Sequence, residues 1–274
     1  MSPQLHLKPV FILCIYNKDK PEFVAVAIES CLNQSVDCSI YIYVDGKIDP
    51  VLDKCIESYS LYDSISIFRG EDNKGLAFGL NLLIDQCLST DAEYIFRMDA
   101  DDISTRDRVE QQIKFLCNNP NIDIVGSDVI EIDEKGNECF YKRMEPDSKE
   151  LYKNIIKKCP LNHPSTAFRR VFFEQGLRYK ENLKNTQDYY LWVDALSHGF
   201  NISNINSPLL YFRVDEDFHQ RRGFKKALND LNARLYAFKK LDVNTMSNYV
   251  HTILLVTLRL SPSFVKKYVY RKFR

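Results

Sequence analysis

The apolar positions of this chain fall into short continuous runs separated by helical stripes. Residues 10–15 (Val-Phe-Ile-Leu-Cys-Ile) are unbroken apolar sequence, the pattern of a strand buried on both faces of a parallel sheet, and Tyr16-Asn17 ends it. From about Pro21, Val24, Ala27, Ile28, Cys31 and Leu32 recur on one helical face. The alternation then repeats: a strand over 38–44 stopped by Asp45-Gly46, a helix over 50–59, a strand over 64–68, the turn Asn73-Lys74-Gly75 and a helix over 76–87. Residues 94–98 form a fourth apolar run. The order β-α-β-α-β-α-β predicts an α/β fold with a doubly wound, mostly parallel sheet.

Past residue 102 the pattern changes. A helix is expected over 108–116, a strand over 122–125, and a hairpin pairing 129–132 with 138–141 around Gly136. Pro160 and Pro164 keep the next stretch out of a helix, so it reads as a loop entering a strand by Phe168. Gln187-Asp188 opens a helix with Leu191, Trp192 and Ala195 inward, which makes Trp192 a core residue rather than a sugar platform. A closing strand is expected over 205–212, then an amphipathic helix with Phe224, Leu228, Leu231, Leu235 and Phe238 as its buried stripe. This half is α+β rather than a continued βαβ repeat.

The candidate chemistry sits where the fourth strand ends, at Asp99, Asp101 and Asp102. Carboxylates this close repel one another unless a cation or donors compensate, and hard oxygen ligands at a strand end suit Mg²⁺ or Mn²⁺. The competing reading is a solvated acidic turn, with Asp102 or Ser104 capping the next helix and Arg97 and Arg106 balancing the charge. Asn17, Asp45 and Asp99 each follow a strand, however, so three carboxyl ends of one sheet bring polar groups to a single crevice. That convergence favours a ligand site.

Composition adds an ordinary globular profile: 274 residues, 45% hydrophobic and 27% charged. The eight cysteines contain no C-x-x-C pair and read as reduced core thiols of a cytosolic protein. Met1–Lys8 lacks the apolar core of a signal peptide, and no run of 18 apolar residues predicts a membrane span. The zero net charge hides an asymmetry. Residues 220–274 hold 13 Lys and Arg against 2 Asp and Glu, while residues 1–219 hold 24 against 35. With aliphatic residues from Ile253 to Leu260 and apolar positions interleaved with Lys266, Lys267, Arg271, Lys272 and Arg274, the tail favours an interfacial anchor on an anionic membrane surface over a nucleic-acid arm, the alternative being a pair of helices that cover the catalytic domain with solvated basic faces.

In order along the chain, Tyr16-Asn17, Ile28-Glu29-Ser30 with Gln34-Ser35, Val44-Asp45-Gly46, Asn73-x-Gly75-Leu76, Met98-Asp-Ala-Asp-Asp102, Arg108 with Gln111, Val125-Gly126-Ser127, His163-Pro164-Ser165 and Gln187-Asp188-Tyr189 before Leu191-Trp192 resemble the family 2 inverting glycosyltransferases of GT-A fold. The resemblance is especially to bacterial enzymes of O-antigen and exopolysaccharide repeat-unit assembly. It spans roughly residues 9–214. It implies a GT-A domain over 1–219, with a nucleotide-sugar half (1–102) and an acceptor half (103–219), followed by a basic helical tail (220–274). It also implies a UDP-sugar donor of glucose or galactose, Mn²⁺ or Mg²⁺, and a lipid-linked (undecaprenyl diphosphate) glycan acceptor at the cytoplasmic face of the inner membrane.

Carried onto this chain, the resemblance gives Asp188 as general base, Asn17, Asp45, Asn73 and Asp99 around the nucleotide, and Asp99 and Asp101 on the metal. Asp102 and His163 are expected near the acceptor or the phosphates, His163 having a hydrogen-bonded surface role as its alternative. Two departures stand out. Gln187 precedes Asp188 where the family usually has Glu, and Phe212-Arg213-Val214 is followed by Asp215 where many relatives carry a His near the metal. Either Asp215 or His219 is expected to fill that place. Rival readings are a nucleotidylyltransferase, which lacks its Gly-rich phosphate loop here, and a non-catalytic nucleotide-sugar or glycan binder, which has no need of a base at Asp188.

Overall fold

The computed structural model describes residues 8–183, 185–214 and 224–261. The expected alternation is present as β1 (Pro9–Ile15), α1 (Pro21–Leu32), β2 (Ser39–Val44), α2 (Pro50–Glu57), β3 (Ile65–Arg69), α3 (Leu76–Leu88) and β4 (Tyr94–Met98). Proline opens both α1 and α2, where its missing N–H forfeits no bond, and Asp49 caps α2 by accepting from Val51 N–H at 2.8 Å. The four strands pair in parallel in the order β3-β2-β1-β4. β1 is apolar throughout because both its faces are covered. Phe11, Leu13 and Ile15 pack with Val24 and Ile28 of α1 and Leu52 of α2, while Val10 and Ile12 join Leu80, Leu83 and Ile84 of α3.

The second half completes the sheet with β5 (Ile103–Ser104), β6 (Ile124–Ile132), β7 (Glu138–Lys142), β8 (Ala167–Arg169) and β9 (Ile202–Arg213) in the order β4-β8-β6-β9-β5, β7 pairing with β6. β8 runs antiparallel to both β4 and β6, so the sheet becomes mixed past β4. Helices α4 (Arg108–Asn118), α5 (Ser148–Asn154), α6 (Arg170–Glu174) and α7 (Gln187–Ser197) connect these strands. The two strands expected at 122–125 and 129–132 are one, β6. The pattern breaks at Gly126-Ser127-Asp128 because the register against β9 shifts there, and Asp128 turns to accept from Tyr141 O–H at 2.8 Å and Met144 N–H at 2.7 Å.

Two further expectations change. The eight cysteines are free, but Cys117, Cys139 and Cys159 are exposed rather than core. Helix α8 (Phe224–Lys240) turns a different face inward from the leucine stripe: Ala227, Ala233 and Ala237 are buried, while Leu235 is 52% exposed. Small residues line the buried face, allowing α8 to lie close against α7, where Tyr190 and Tyr236 rings meet at 4.7 Å and Arg234 covers the Tyr189 ring at 4.4 Å. Helix α9 (Met246–Leu260) follows and leaves Ile253 66% and Leu254 61% exposed. Among the described residues, no helix is long and apolar enough to cross a membrane.

One buried polar network ties the site-bearing strand ends together. Arg108 is fully buried, and its Nη2 donates to the Arg97 carbonyl at 2.8 Å and its Nε to Gln112 Oε1 at 3.0 Å. Gln112 in turn donates to the carbonyls of Val125 at 3.1 Å and Ser165 at 2.8 Å. Thus β4, β6 and the short helical turn His163–Ser165 are held in register from behind by satisfied polar groups.

Candidate active site

Side chains alternate along β4, so Arg97 and Asp99 share the face that looks toward α3 and α7. There the Arg97 Nη2 forms an ion pair with Asp99 Oδ1. Beyond the strand, Asp99, Asp101 and Asp102 can each offer an oxygen within 4.8 Å of the others. Burial and the Asp99 charge push the Asp101 carboxyl up to about 6. A fourth carboxylate faces them from the β1–α1 loop: Asp19 accepts from Tyr16 N–H at 2.8 Å, and burial with the charges of Asp101 and Asp99 holds it up at about 7. These carboxylates retain more negative charge than Arg97 offsets. The donor set therefore fits a hard divalent cation, with Asp99 and Asp101 bordering the open cleft.

Asp102 is the most enclosed of the three. It is fully buried, one oxygen accepts from Arg213 N–H at 2.8 Å, and the other has no hydrogen-bond partner among the described residues. Arg213 appears in the sequence only as part of the Phe212-Arg213-Val214 unit, with no role assigned. Its Nε donates to the Asp101 carbonyl at 2.9 Å, its Nη1 to the Asp133 carbonyl at 2.9 Å, and its guanidinium lies 4.1 Å from the Phe23 ring. It thereby joins the acidic loop to the β6–β7 turn and the start of α1.

A cleft of about 1720 Å³ runs from the acidic cluster past Asp45, Asn73 and Gly75 to Tyr16 and Lys18. Asp45 is nearly buried, and its two oxygens accept from Lys74 N–H at 2.8 Å and Gly75 N–H at 2.9 Å. It shapes the Asn73–Gly75 turn, and its remaining lone pairs leave it able to accept from a ligand. Asn73 lines the cleft, whereas Asn17 is exposed on the β1–α1 loop and outside the lining. Asp215 and His219 lie outside the described residues.

A smaller chamber of about 430 Å³ opens beside Asp99 and brings in the second half of the chain. Asp188, in the first turn of α7, lines it together with Arg97, His163 and Tyr179. Burial raises the Asp188 carboxyl above the ordinary range, opposed by the N–H of Tyr189 and the charge of Arg97. His163 Nε2 and the Tyr179 hydroxyl lie 2.8 Å apart, and burial followed by the Arg97 charge lowers the imidazole well below its usual value, leaving it neutral. Thr186, the residue before α7, has φ of 66°, the only non-glycine with positive φ among the described residues. A β-branched residue there stores backbone strain directly beside Asp188. Trp192 is fully buried behind the chamber, in contact with His163 and Phe168, as a core residue.

Residues 10–177 match the profile of glycosyl transferase family 2. The chain belongs to that family. The match spans the acidic cluster and ends before Asp188. The UDP-Gal:alpha-D-GlcNAc-diphosphoundecaprenol beta-1,3-galactosyltransferase of Escherichia coli is 29% identical over 95% of this chain and 94% of its own length. The amylovoran biosynthesis glycosyltransferase AmsE of Erwinia amylovora is 28% identical over 96% of this chain and 98% of its own. In structure, S. aureus TarS 1-349 in complex with UDP-GlcNAc superposes with a TM-score of 0.64 at 14% identity, covering 92% of this chain and 71% of that one. The family 2 glycosyltransferase described here thus has the GT-A fold expected from its sequence.

Proposed function

We propose that this glycosyltransferase moves a hexose, glucose or galactose, from a UDP-sugar to a lipid-linked glycan carried on undecaprenyl diphosphate, with inversion to a β-linkage, in surface-polysaccharide synthesis. One observation carries the catalytic part of this reading: Asp188 and Asp99, from opposite halves of the chain, line the same chamber. A group bound at the acidic cluster would therefore have its reacting end beside a carboxylate of raised pKa. The E. coli relative, whose name specifies UDP-Gal and a diphosphoundecaprenol-linked acceptor, supports the donor and acceptor classes.

In this reading Asp45 and Asn73 bind the nucleoside, and Asn17 contributes from the adjoining loop. Asp99 and Asp101 hold Mn²⁺ or Mg²⁺, with Asp215 or His219 as a further ligand. When bound there, the cation would neutralise charge on the departing diphosphate. Asp188 takes the proton of the acceptor hydroxyl, and its raised pKa brings it nearer to the working pH of a general base. The neutral His163 stays a hydrogen-bonding group at the chamber wall. The exposed apolar side of α9 and the basic residues after it rest on the anionic cytoplasmic leaflet, beside the acceptor. The test is UDP release from UDP-glucose and UDP-galactose with a diphosphate-lipid GlcNAc acceptor, with Mn²⁺ and with EDTA. Acceptor-dependent release abolished by EDTA is expected; release from neither donor, together with no metal-dependent UDP binding, overturns the reading.

A further inference from the structure

Four cations gather where the loop after α5 passes the start of α7. Arg234 of α8 donates Nε–H to the Ile156 carbonyl at 3.0 Å and lays its guanidinium 4.4 Å from the ring of Tyr189, the residue after Asp188. Its two Nη groups have no partner among the described residues, and neither is sealed from solvent. Lys157 and Lys158 follow Ile156, the first half-buried and the second exposed. Lys142, at the end of β7, donates to Asn162 Oδ1 at 2.6 Å, next to His163 on the chamber wall. Among the described residues none of the four pairs with a carboxylate, whereas Lys153 and Lys180 do, with Glu150 and Asp194 at 3.2 Å each. Cys159 marks how near this charge comes to the base. Its thiol turns to the Leu161 carbonyl at 3.4 Å; burial and then the Asp188 charge raise it, while Lys142 and Arg234 lower it.

Like charges held together without partners repel, so this patch is complementary to an anion of more than one charge, and guanidinium and ammonium groups together suit phosphate oxygens. Its other flank is α9. His251 of that helix has the Lys157 backbone as hydrogen-bond partner, and burial, then the charges of Arg234 and Lys157, lower its imidazole. On the same helix Val250, Ile253 and Leu254 are exposed. The order of apolar helix, cations and Asp188 is the order of lipid, diphosphate and sugar in the acceptor. We propose that Arg234, Lys157, Lys158 and Lys142 form the subsite for the diphosphate of the acceptor, holding it between the apolar side of α9 and Asp188. The proposal rests on the reading of the acceptor as a lipid-linked diphosphate. A phospholipid headgroup shares the phosphate chemistry but carries no sugar towards a base, so the nearness of Asp188 selects the acceptor. Arg234 is central, because the side chain that takes the diphosphate also packs on the residue that follows the base.

The test is kinetics on the full chain with Mn²⁺ and the better of UDP-glucose and UDP-galactose, using two soluble short-chain acceptors, an alkyl GlcNAc diphosphate and an alkyl GlcNAc without phosphate. The wild type should favour the diphosphate in kcat/KM. In Lys157→Gln with Lys158→Gln, and separately in Arg234→Gln, that preference should fall by about tenfold or more, chiefly through a higher KM for the diphosphate. Arg234→Lys should keep more of the preference than Arg234→Gln. Arg234 also supports Tyr189, so the lysine pair carries the test if Arg234→Gln folds poorly. A wild type with no preference, a preference unchanged in the variants, or equal losses for the two acceptors would overturn the subsite. A loss confined to co-sedimentation with phosphatidylglycerol vesicles would also overturn it and give the cations to lipid headgroups. Turnover of neither acceptor by the wild type would instead overturn the acceptor reading beneath it.

Discussion

Gly46→Ala probes how the nucleotide cleft is built. Gly46 follows Asp45 at the end of β2 with φ of +81°, and a Cβ added there would lie 2.6 Å from Asn73 N and 2.9 Å from the Asp72 carbonyl carbon. Those are backbone atoms, so no side-chain rotation relieves the overlap, and the loop bearing Asn73 has to move. The left-handed conformation costs a non-glycine residue roughly 1–2 kcal/mol, and losing glycine's freedom in the unfolded chain returns about 0.5–1 kcal/mol. Overpacking a close contact adds about 1–3 kcal/mol, for a total of about 1–4.5 kcal/mol. Gly136, in the β6–β7 turn, has φ of +86° with nothing within 4 Å of the corresponding Cβ, so Gly136→Ala isolates the conformational part. Differential scanning calorimetry should show Gly46→Ala losing roughly 2–18 °C in Tm, and more than Gly136→Ala, which should lose only a few degrees. UDP affinity should fall only in Gly46→Ala. Equal Tm values for the two variants, or unchanged UDP binding in Gly46→Ala, would refute the backbone-to-backbone seating of the cleft.

Other perturbations separate the roles assigned above. Asp188→Asn should cut turnover by ~10²- to 10⁴-fold while leaving UDP affinity intact; loss of both in parallel would make it a structural residue. The folded state raises the pKa of Asp188, so the stability this group contributes is present below the ordinary carboxylate value and lost as pH rises through the raised one. At pH 7 the variant should thus keep or raise its Tm, and a lower Tm would contradict the burial cost. Asp101 titrates near 6, so Mn²⁺-dependent UDP affinity should weaken from pH 7 to pH 5 in the wild type and be weak throughout in Asp101→Asn; a flat wild-type profile would count against it as a ligand. Ile253→Glu with Leu254→Glu changes two exposed side chains, so UDP binding should persist while co-sedimentation with anionic vesicles is lost, and undiminished sedimentation would remove α9 from the membrane contact.

Sequence pattern reports what is local, and the boundary of that information passes through the site. The strands ending at Tyr16, Asp45 and Asp99 were legible because each apolar run is continuous and each polar stop abrupt, and from these the crevice and its acidic cluster followed. The α8 face was misread because hydrophobicity marks what is apolar, not what fits: Ala227, Ala233 and Ala237 take the buried positions, while Leu228 and Leu235 are exposed. Arg97 and Arg108 look alike as cations near an acidic turn, yet one pairs with Asp99 and the other spends its donors bracing strand ends. The sequence around Arg108 does not decide this, since the carbonyl it braces lies in another element. Tyr179 is held by Asn81 from 98 positions away, and Asp188 faces Asp99 across the two halves of the chain. The binding edge is therefore readable from strand endings alone, whereas the chamber beside it exists only once the mixed half of the sheet has brought β8 and α7 alongside β4. That division explains why the strand-end cleft with Asp45, Asn73 and Asp99 could be anticipated from sequence whereas the chamber shared by Asp99 and Asp188 could not.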